Sequence, residues 1–139
     1  MSRHGRILKT KVKGLIFFMV LFVCYGLYDF NTPKKKTVFA IQDAKPRFMI
    51  FYSKSHKMPE NSSQLPNLKH LSNENKDGWG VPLKFKEKIK NQQYCIFSYG
   101  ADKQLGGKGE NKDIEGCFLV VDENGEFADI YGPFIKKQN

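Results

Sequence analysis

Histidine and cysteine are scarce in this 139-residue sequence, which has three of each. The histidines, His4, His56 and His70, are scattered and predict no zinc site. The sequence also lacks a phosphate-binding glycine motif, a nucleophile motif and a Cys–His pair in a recognisable setting, and its carboxylates are too dispersed to nominate an acid and a base. These absences favour a protein that is not an enzyme and that has no small-molecule substrate.

The body of the chain also lacks an excess of basic residues, although the net charge is +9. Residues 1–36 carry eight basic groups and one acidic group, whereas residues 37–139 carry 15 basic and 13 acidic groups. A nucleic-acid-binding domain normally has a basic face of its own. We therefore expect no nucleic-acid partner.

One apolar run lies in the basic N-terminal segment, and it is short for a membrane span. Residues 14–28, GLIFFMVLFVCYGLY, would cover about 22 Å as a helix, less than the ~30 Å hydrocarbon core. Snorkelling of Lys13 and local thinning can make up the difference. No small-residue cleavage site follows the run, which argues against a cleaved signal peptide, and LFVC at residues 21–24 fits a lipoprotein motif poorly. We favour a retained membrane anchor.

The expected organisation has four parts: a basic cytoplasmic segment over residues 1–14, a transmembrane helix over 15–30, a juxtamembrane linker over 31–36 and an extracytoplasmic domain over 37–139. Five basic residues precede the span and three follow it closely, so the positive-inside rule places the N-terminus in the cytoplasm. The protein would then be a single-pass protein of the cell inner membrane, with its C-terminal domain in the periplasm.

Two cysteines lie in separate predicted strands of this outer domain. Cys95 and Cys117 could form a disulfide, which would close a loop around the polar, glycine-rich residues between them. Two buried, reduced cysteines are equally ordinary, so the sequence leaves both alternatives open.

The outer domain begins with a helical pattern and continues with strand patterns. Residues 37–57 predict a helix with a kink or a second start at Pro46, although a strand over residues 47–52 is an alternative. A short helical turn is expected within residues 63–71. Strands are predicted at residues 81–85, 94–99, 118–121 and 127–131, with a tight hairpin at Asn124-Gly125 between the last two. The expected fold class is α+β: a transmembrane helix, then a helical segment packed on an antiparallel sheet of about four strands.

The order of several motifs in this domain resembles one known family. FYSKSHKMP at residues 51–59 is followed by DGWGVPL at 77–83, by YCIFSYGAD at 94–102, by Gly106-Gly107 and by Asp113-Ile114. This arrangement is similar to the C-terminal domain of the major pseudopilin of type II secretion systems. The resemblance covers about residues 38–114. It implies a pilin-like fold and a structural role in a secretion or pilus-type assembly, with other pseudopilin-like or secretion-system proteins as partners.

In that family the loop after the sheet strand binds calcium. By resemblance, the ligands here would be the carbonyl of Tyr99, the carboxylates of Asp102 and Asp113, and either Glu110 or Asn111. Calcium takes six to eight oxygen ligands at about 2.3–2.6 Å, and glycines let backbone carbonyls converge on one point. Lys112 departs from the family pattern and would either point to solvent or weaken the site. A solvated surface loop is the alternative to a calcium site.

The N-terminus resembles the family less closely. Pseudopilins have a basic leader that ends in glycine and is cut by a prepilin peptidase, which makes Gly14 the expected cleavage site. Met19 stands where the resemblance implies a glutamate that registers neighbouring subunits. The sequence therefore supports two hypotheses: a membrane-anchored subunit of an assembly, or a single-pass envelope protein that uses a pilin-like domain for partner binding outside any filament. A third hypothesis, a secreted small enzyme or inhibitor, would be indicated by a soluble product starting near Ile41.

Overall fold

The computed structural model describes residues 16, 17, 19, 20, 32–88, 93–122 and 124–135, in two compact units. The first unit covers residues 1–32; of its described residues, 16, 17, 19 and 20 are helical and 54–67% exposed. Within the described stretches, no helix has the length and apolar character that a bilayer crossing requires. The expected cleavage site at Gly14 and most of the expected span over residues 15–30 lie outside the described residues.

The second unit, residues 33–139, begins with one long helix, α1, from Pro33 to Ser55. Proline suits the first position of a helix because its φ is already helical and its missing N–H would have no partner there. The helix ends where His56 takes a positive φ of 52°. It passes through Pro46 without a second start, so the predicted helix is present and the alternative strand over residues 47–52 is wrong. Residues 33–36, which we expected to be linker, form its first turn.

Three antiparallel strands form one sheet in the order β1-β2-β3. β1 is Lys84–Lys88, β2 is Gln93–Ser98 and β3 is Ile114–Leu119. The expected α+β class is confirmed, but the sheet has three strands among the described residues rather than about four.

The first strand starts three residues later than predicted because the chain before it forms a local turn. Asp77 donates its N–H to the Val81 carbonyl at 2.8 Å, and Leu83 donates its N–H to the Asn75 carbonyl at 3.0 Å. The alternating residues that predicted a strand are therefore paired with the segment that precedes them. Only from Lys84 onwards does the chain pair with β2.

The segment between α1 and β1 contains little other regular structure. A 3-10 turn at Ser62–Gln64 stands where we expected a helical turn within residues 63–71, and it is shorter than expected. Leu65, directly after it, is buried in the core.

The tight turn predicted after β3 forms, but the segments on its two sides do not pair as extended strands. Gly125 has a φ of 79°, and its N–H donates to the Asp122 carbonyl at 3.1 Å. Val121 and Phe127 form only an isolated bridge, so the fourth predicted strand, over residues 127–131, is wrong.

A second turn explains why residues 127–131 do not form a strand. Gly132 donates its N–H to the Asp129 carbonyl at 3.0 Å, which turns the chain away. Lys45 of α1 holds this turn, since its buried ammonium donates to the carbonyls of Asp129 and Gly132 at 3.3 and 2.5 Å. Burial lowers the pKa of Lys45, and the nearby Asp129 carboxylate opposes that shift.

The core lies between α1 and the inner face of the sheet. Phe48 of α1 is fully buried at its centre, and ring centroids of Tyr52, Phe85, Tyr94 and Phe118 lie 5.2–6.3 Å from its own. Aromatic pairs at these distances stabilise a core beyond the area that they bury. The buried apolar residues packed around this centre are Ala40, Ile41, Ala44, Met49, Leu65, Leu83, Ile96 and Val120.

A buried arginine fastens the irregular segment onto α1. Arg47 is 0% exposed, and its guanidinium donates to the carbonyls of Pro66 and Glu74 and to Oδ1 of Asn75, at 2.9, 3.1 and 2.7 Å. It also pairs with Asp43, one helical turn earlier, at 3.4 Å. Arg47 therefore supplies polar contacts that hold the segment between α1 and β1, which has few regular backbone hydrogen bonds of its own.

The outer face of the sheet carries a disulfide. Ile96 and Phe118 face the core, so the neighbouring Cys95 and Cys117 face away from α1. These cysteines lie opposite each other in β2 and β3, and their sulfurs are bonded. Of the two alternatives left open by the sequence, the structure contains the disulfide, and it cross-links the two strands three residue pairs before the loop between them begins.

Candidate metal-binding loop

Residues 100–113 connect β2 to β3 through a compact, glycine-rich loop. Gly100, Gly106, Gly107 and Gly109 all have positive φ, which lets the chain reverse several times within a few residues. The two ends of the loop meet where Ala101 donates its N–H to the Glu110 carbonyl at 3.0 Å. The oxygen-rich stretch is therefore folded back on itself rather than extended into solvent.

Asp113 is the predicted ligand whose position in the structure best fits a bound cation. Its Oδ2 accepts the N–H of Gly106 at 3.0 Å. Its Oδ1 is buried and has no hydrogen-bond partner in the described part of the chain. Burying a carboxylate oxygen without a partner is costly, and native proteins rarely leave such an atom unmatched. A cation beside this oxygen would remove that cost, so Asp113 fits the calcium expectation.

Backbone carbonyls crowd the same part of the loop. A Cβ added to Gly107 would lie 2.5 Å from the carbonyl oxygen of Asn111, which real contacts do not allow. A Cβ on Gly100 would lie 2.8 and 2.9 Å from the carbonyl oxygens of Glu110 and Asn111. Both glycines are needed for this approach, which brings carbonyl oxygens of the kind that calcium uses into the loop interior.

The other predicted carboxylate ligands are not gathered around Asp113. Oδ1 of Asp102 accepts the N–H of Gln104 at 3.1 Å, and Asp102 is exposed. Among the described residues, the carboxylates of Asp102, Glu110 and Asp113 do not form a set within 4.8 Å of one another. Lys112, the departure from the family pattern, is exposed, and its backbone N–H donates to the Gly109 carbonyl.

Another group has the spacing of a metal site but a different explanation. Ligand atoms of Cys95, Glu115 and Cys117 lie within 4.8 Å of one another. The two sulfurs are bonded to each other, so they cannot act as thiolate ligands. Glu115 pairs instead with the ammonium groups of Lys86 and Lys88, at 2.7 and 3.7 Å.

Sequence reasoning missed the residues that seat the loop on the fold. Oδ2 of Asp77 accepts a hydrogen bond of 2.6 Å from the hydroxyl of Ser98, the last residue of β2. The Ser98 hydroxyl in turn accepts the N–H of Gly100, the first loop residue, at 3.1 Å. Asp77 opens the quoted motif DGWGVPL and Ser98 lies in YCIFSYGAD, so the signal was present, but nothing in the sequence showed that the two residues meet.

The described residues form an α+β module, in which one long helix packs on a small antiparallel sheet and an oxygen-rich loop joins two adjacent strands. The model of one protein family, described as type II secretion system (T2SS), protein G, matches residues 31–117. The match covers more than half of the chain, so the chain belongs to this family, that of the major pseudopilin. The family is a structural, non-enzymatic component of the secretion system. None of the curated proteins gave a match.

Proposed function

We propose that this protein is a membrane-anchored, pseudopilin-like structural subunit of a type II secretion or pilus-type assembly. Family membership over residues 31–117 carries the proposal. The apolar run over residues 14–28, with its preceding basic residues, supports a single inner-membrane anchor and a periplasmic outer domain. Other pseudopilin-like or secretion-system proteins would be the partners, and the function would be contact between proteins, with no chemical step.

We further propose that calcium stabilises the loop over residues 100–113. The observation that supports this is the buried, unpartnered Oδ1 of Asp113. Asp113 would hold the ion together with Asp102, the Tyr99 carbonyl, and Glu110 or Asn111. A bound calcium ion would supply a divalent charge that several oxygens share, which cross-links the two ends of the loop.

A thermal melt of the full chain with calcium, and again with a chelator, tests the calcium proposal. Calcium at a hundred times its dissociation constant adds about 2.7 kcal/mol, which raises the Tm of a domain of this size by roughly 10 °C. Asp113→Asn should abolish this rise. Because it removes the charge from an unpartnered oxygen, it should not lower the Tm measured in chelator.

Two controls make the result specific. Glu126→Gln removes an exposed carboxylate outside the loop and should keep the full calcium response. Magnesium should substitute poorly, since it demands a tighter octahedral shell. An Asp113→Asn variant that still gains about 10 °C from calcium would rule out this loop as the site.

The alternative is a single-pass envelope protein that uses the same domain outside any filament. Met19, in the place of the glutamate that the resemblance implies, favours it. A Gly14→Leu variant distinguishes the two roles in cells. If the protein is processed as a pseudopilin, this variant should migrate as a larger species than the parent because its leader is retained. Equal sizes would favour the envelope protein.

A further inference from the structure

A set of buried polar groups leads away from the loop and reaches the first turn of α1. It begins with the hydroxyl of Ser98, which accepts the N–H of Gly100 at the start of the loop and donates to Asp77. Ser98 is 3% exposed and Asp77 is 7% exposed, so water does not compete freely for this contact. The first step therefore ties the loop to the turn that precedes β1.

Asp77 organises that turn. Its Oδ1 accepts the N–H groups of Trp79 and Val81, each at 2.9 Å, while Oδ2 accepts the Ser98 hydroxyl. Its backbone N–H and carbonyl are also paired within the turn, with Val81 and Gly80. One carboxylate thus joins the backbone of residues 77–81 to the Ser98 hydroxyl.

The turn is in direct contact with α1. Gly78 donates its N–H to Oγ1 of Thr37 at 2.9 Å, and the same hydroxyl donates to the Pro33 carbonyl at 2.9 Å. Thr37 is 0% exposed. A Cβ on Gly78 would overlap the backbone of Pro33, so only glycine lets the turn approach the helix this closely.

We propose that Ser98, Asp77 and Thr37 are positioning residues that couple calcium binding in the loop to the order of the first turn of α1. This inference rests on the calcium site proposed above and extends it to a regulatory consequence. The first turn of α1 directly follows residues 1–32 in the chain. If the coupling holds, the calcium concentration around the outer domain controls how well this first turn is ordered.

The coupling must act in both directions. If the ion orders the start of α1 through these groups, then loosening that start weakens the binding of the ion by the same factor. Loss of one buried hydrogen bond corresponds to roughly a threefold to tenfold change in an equilibrium constant. Thr37 lies at the far end of the set and touches no loop residue in the contacts described, so a change in calcium affinity there would not reflect local damage to the site.

The sequence provides a reporter at the right place. Trp79 is the only tryptophan of the chain, and its backbone N–H is one of the two that Oδ1 of Asp77 accepts. Calcium titration of the full chain, followed by Trp79 fluorescence, should give a saturable change. Hydrogen exchange measured with and without calcium should show slower exchange in the loop, in the peptide 76–83 and in the peptide 33–40. These measurements need no variant.

Two substitutions of Thr37 then separate the hydrogen bond from packing. Thr37→Val keeps the shape but removes the hydroxyl, and it should raise the calcium dissociation constant about threefold to tenfold. It should also remove the calcium-dependent protection of peptide 33–40, while the loop stays protected at saturating calcium. Thr37→Ser keeps the hydroxyl and should behave like the parent, whereas a packing effect would make it the worse of the two.

The outcomes are distinguishable. If calcium protects the loop but neither 76–83 nor 33–40, or if Thr37→Val binds calcium as the parent does, the coupling is wrong and the calcium site stands. If calcium leaves the loop unprotected and Trp79 silent, the calcium site is wrong and the coupling fails with it.

Discussion

Replacing Arg47 by methionine should be among the most damaging single substitutions in the outer domain. The guanidinium lies at 0% exposure and donates to four groups on the segment between α1 and β1, the fourth being the Leu65 carbonyl at 3.5 Å. Methionine fills a similar volume but donates nothing, so these acceptors would lose their partners in a space closed to water. Burial lowers the pKa of Arg47, and the Asp43 carboxylate opposes the shift, so the group remains a cation at neutral pH.

The magnitude follows from the kind of network that is broken. Removing one member of a buried, charged hydrogen-bond network costs about 3–5 kcal/mol. A typical domain has only about 5–15 kcal/mol of stability, so the loss would be about a fifth of the total or more. The ion pair is part of this network, since the Asp43 side chain is only 9% exposed and its Oδ1 also accepts the N–H of Ser72 at 2.9 Å. We therefore expect Asp43→Asn, which keeps an acceptor but removes the charge beside a buried cation, to cost about 1–3 kcal/mol, less than Arg47→Met.

Urea unfolding of the full chain, followed by Trp79 fluorescence and circular dichroism, measures the effect. Arg47→Met should lower the urea midpoint with little change in the m-value. Arg47→Lys should fall between the parent and methionine, because an ammonium is a single point and cannot satisfy acceptors spread around a planar fork. Lys54→Met, on the exposed last turn of the same helix, is the matched control and should change stability by less than about 0.5 kcal/mol. An Arg47→Met variant within about 1 kcal/mol of the parent would refute the reasoning, since it would mean that water reaches those acceptors.

Three further variants, one of them a double substitution, test other parts of the molecule. Replacing both Cys95 and Cys117 by alanine should cost about 3 kcal/mol, because the disulfide joins residues 22 apart and restricts the unfolded chain; a denaturant melt that reductant leaves unchanged would contradict this. Gly107→Ala should destabilise the loop and abolish its response to calcium, because its Cβ would meet the Asn111 carbonyl. Gly125→Ala, with a positive φ but open space around it and a place outside the loop, is the control for backbone strain alone. Burial, followed by the hydrogen bond to Tyr52 and the nearby Glu87, raises the pKa of Tyr94. The pKa of Tyr94 in the folded state is above the ordinary value of 10.0. The contribution of its protonated hydroxyl to the free energy of unfolding is therefore fully present below pH 10 and is lost as the pH rises beyond it. Tyr94→Phe should therefore flatten the decline of the unfolding free energy between about pH 10 and 11, and an unchanged slope would show that Tyr94 does not contribute.

Much of the architecture could be read from short-range patterns. The helix after residue 37, the strand over residues 94–99 and the turn at Gly125 all follow from periodicity or from turn chemistry, which depend on neighbours in the chain. The loop over residues 100–113 was recognisable from its glycines and oxygens for the same reason. Asp113 was among its predicted ligands, although its unpartnered oxygen was not foreseeable.

The sequence by itself determined where the charge lies, which stretch is apolar, and that a helix precedes an antiparallel sheet. Only the tertiary structure decided which polar groups meet. Arg47 contacts residues 18 to 28 positions away, and the contacts of Asp77 with Ser98 and of Thr37 with Gly78 span 21 and 41 positions. Such contacts depend on how elements pack, and no local pattern encodes that. The fourth predicted strand was wrong for the same reason: its residues favour a strand, but Lys45 holds the chain in a turn before the strand can extend.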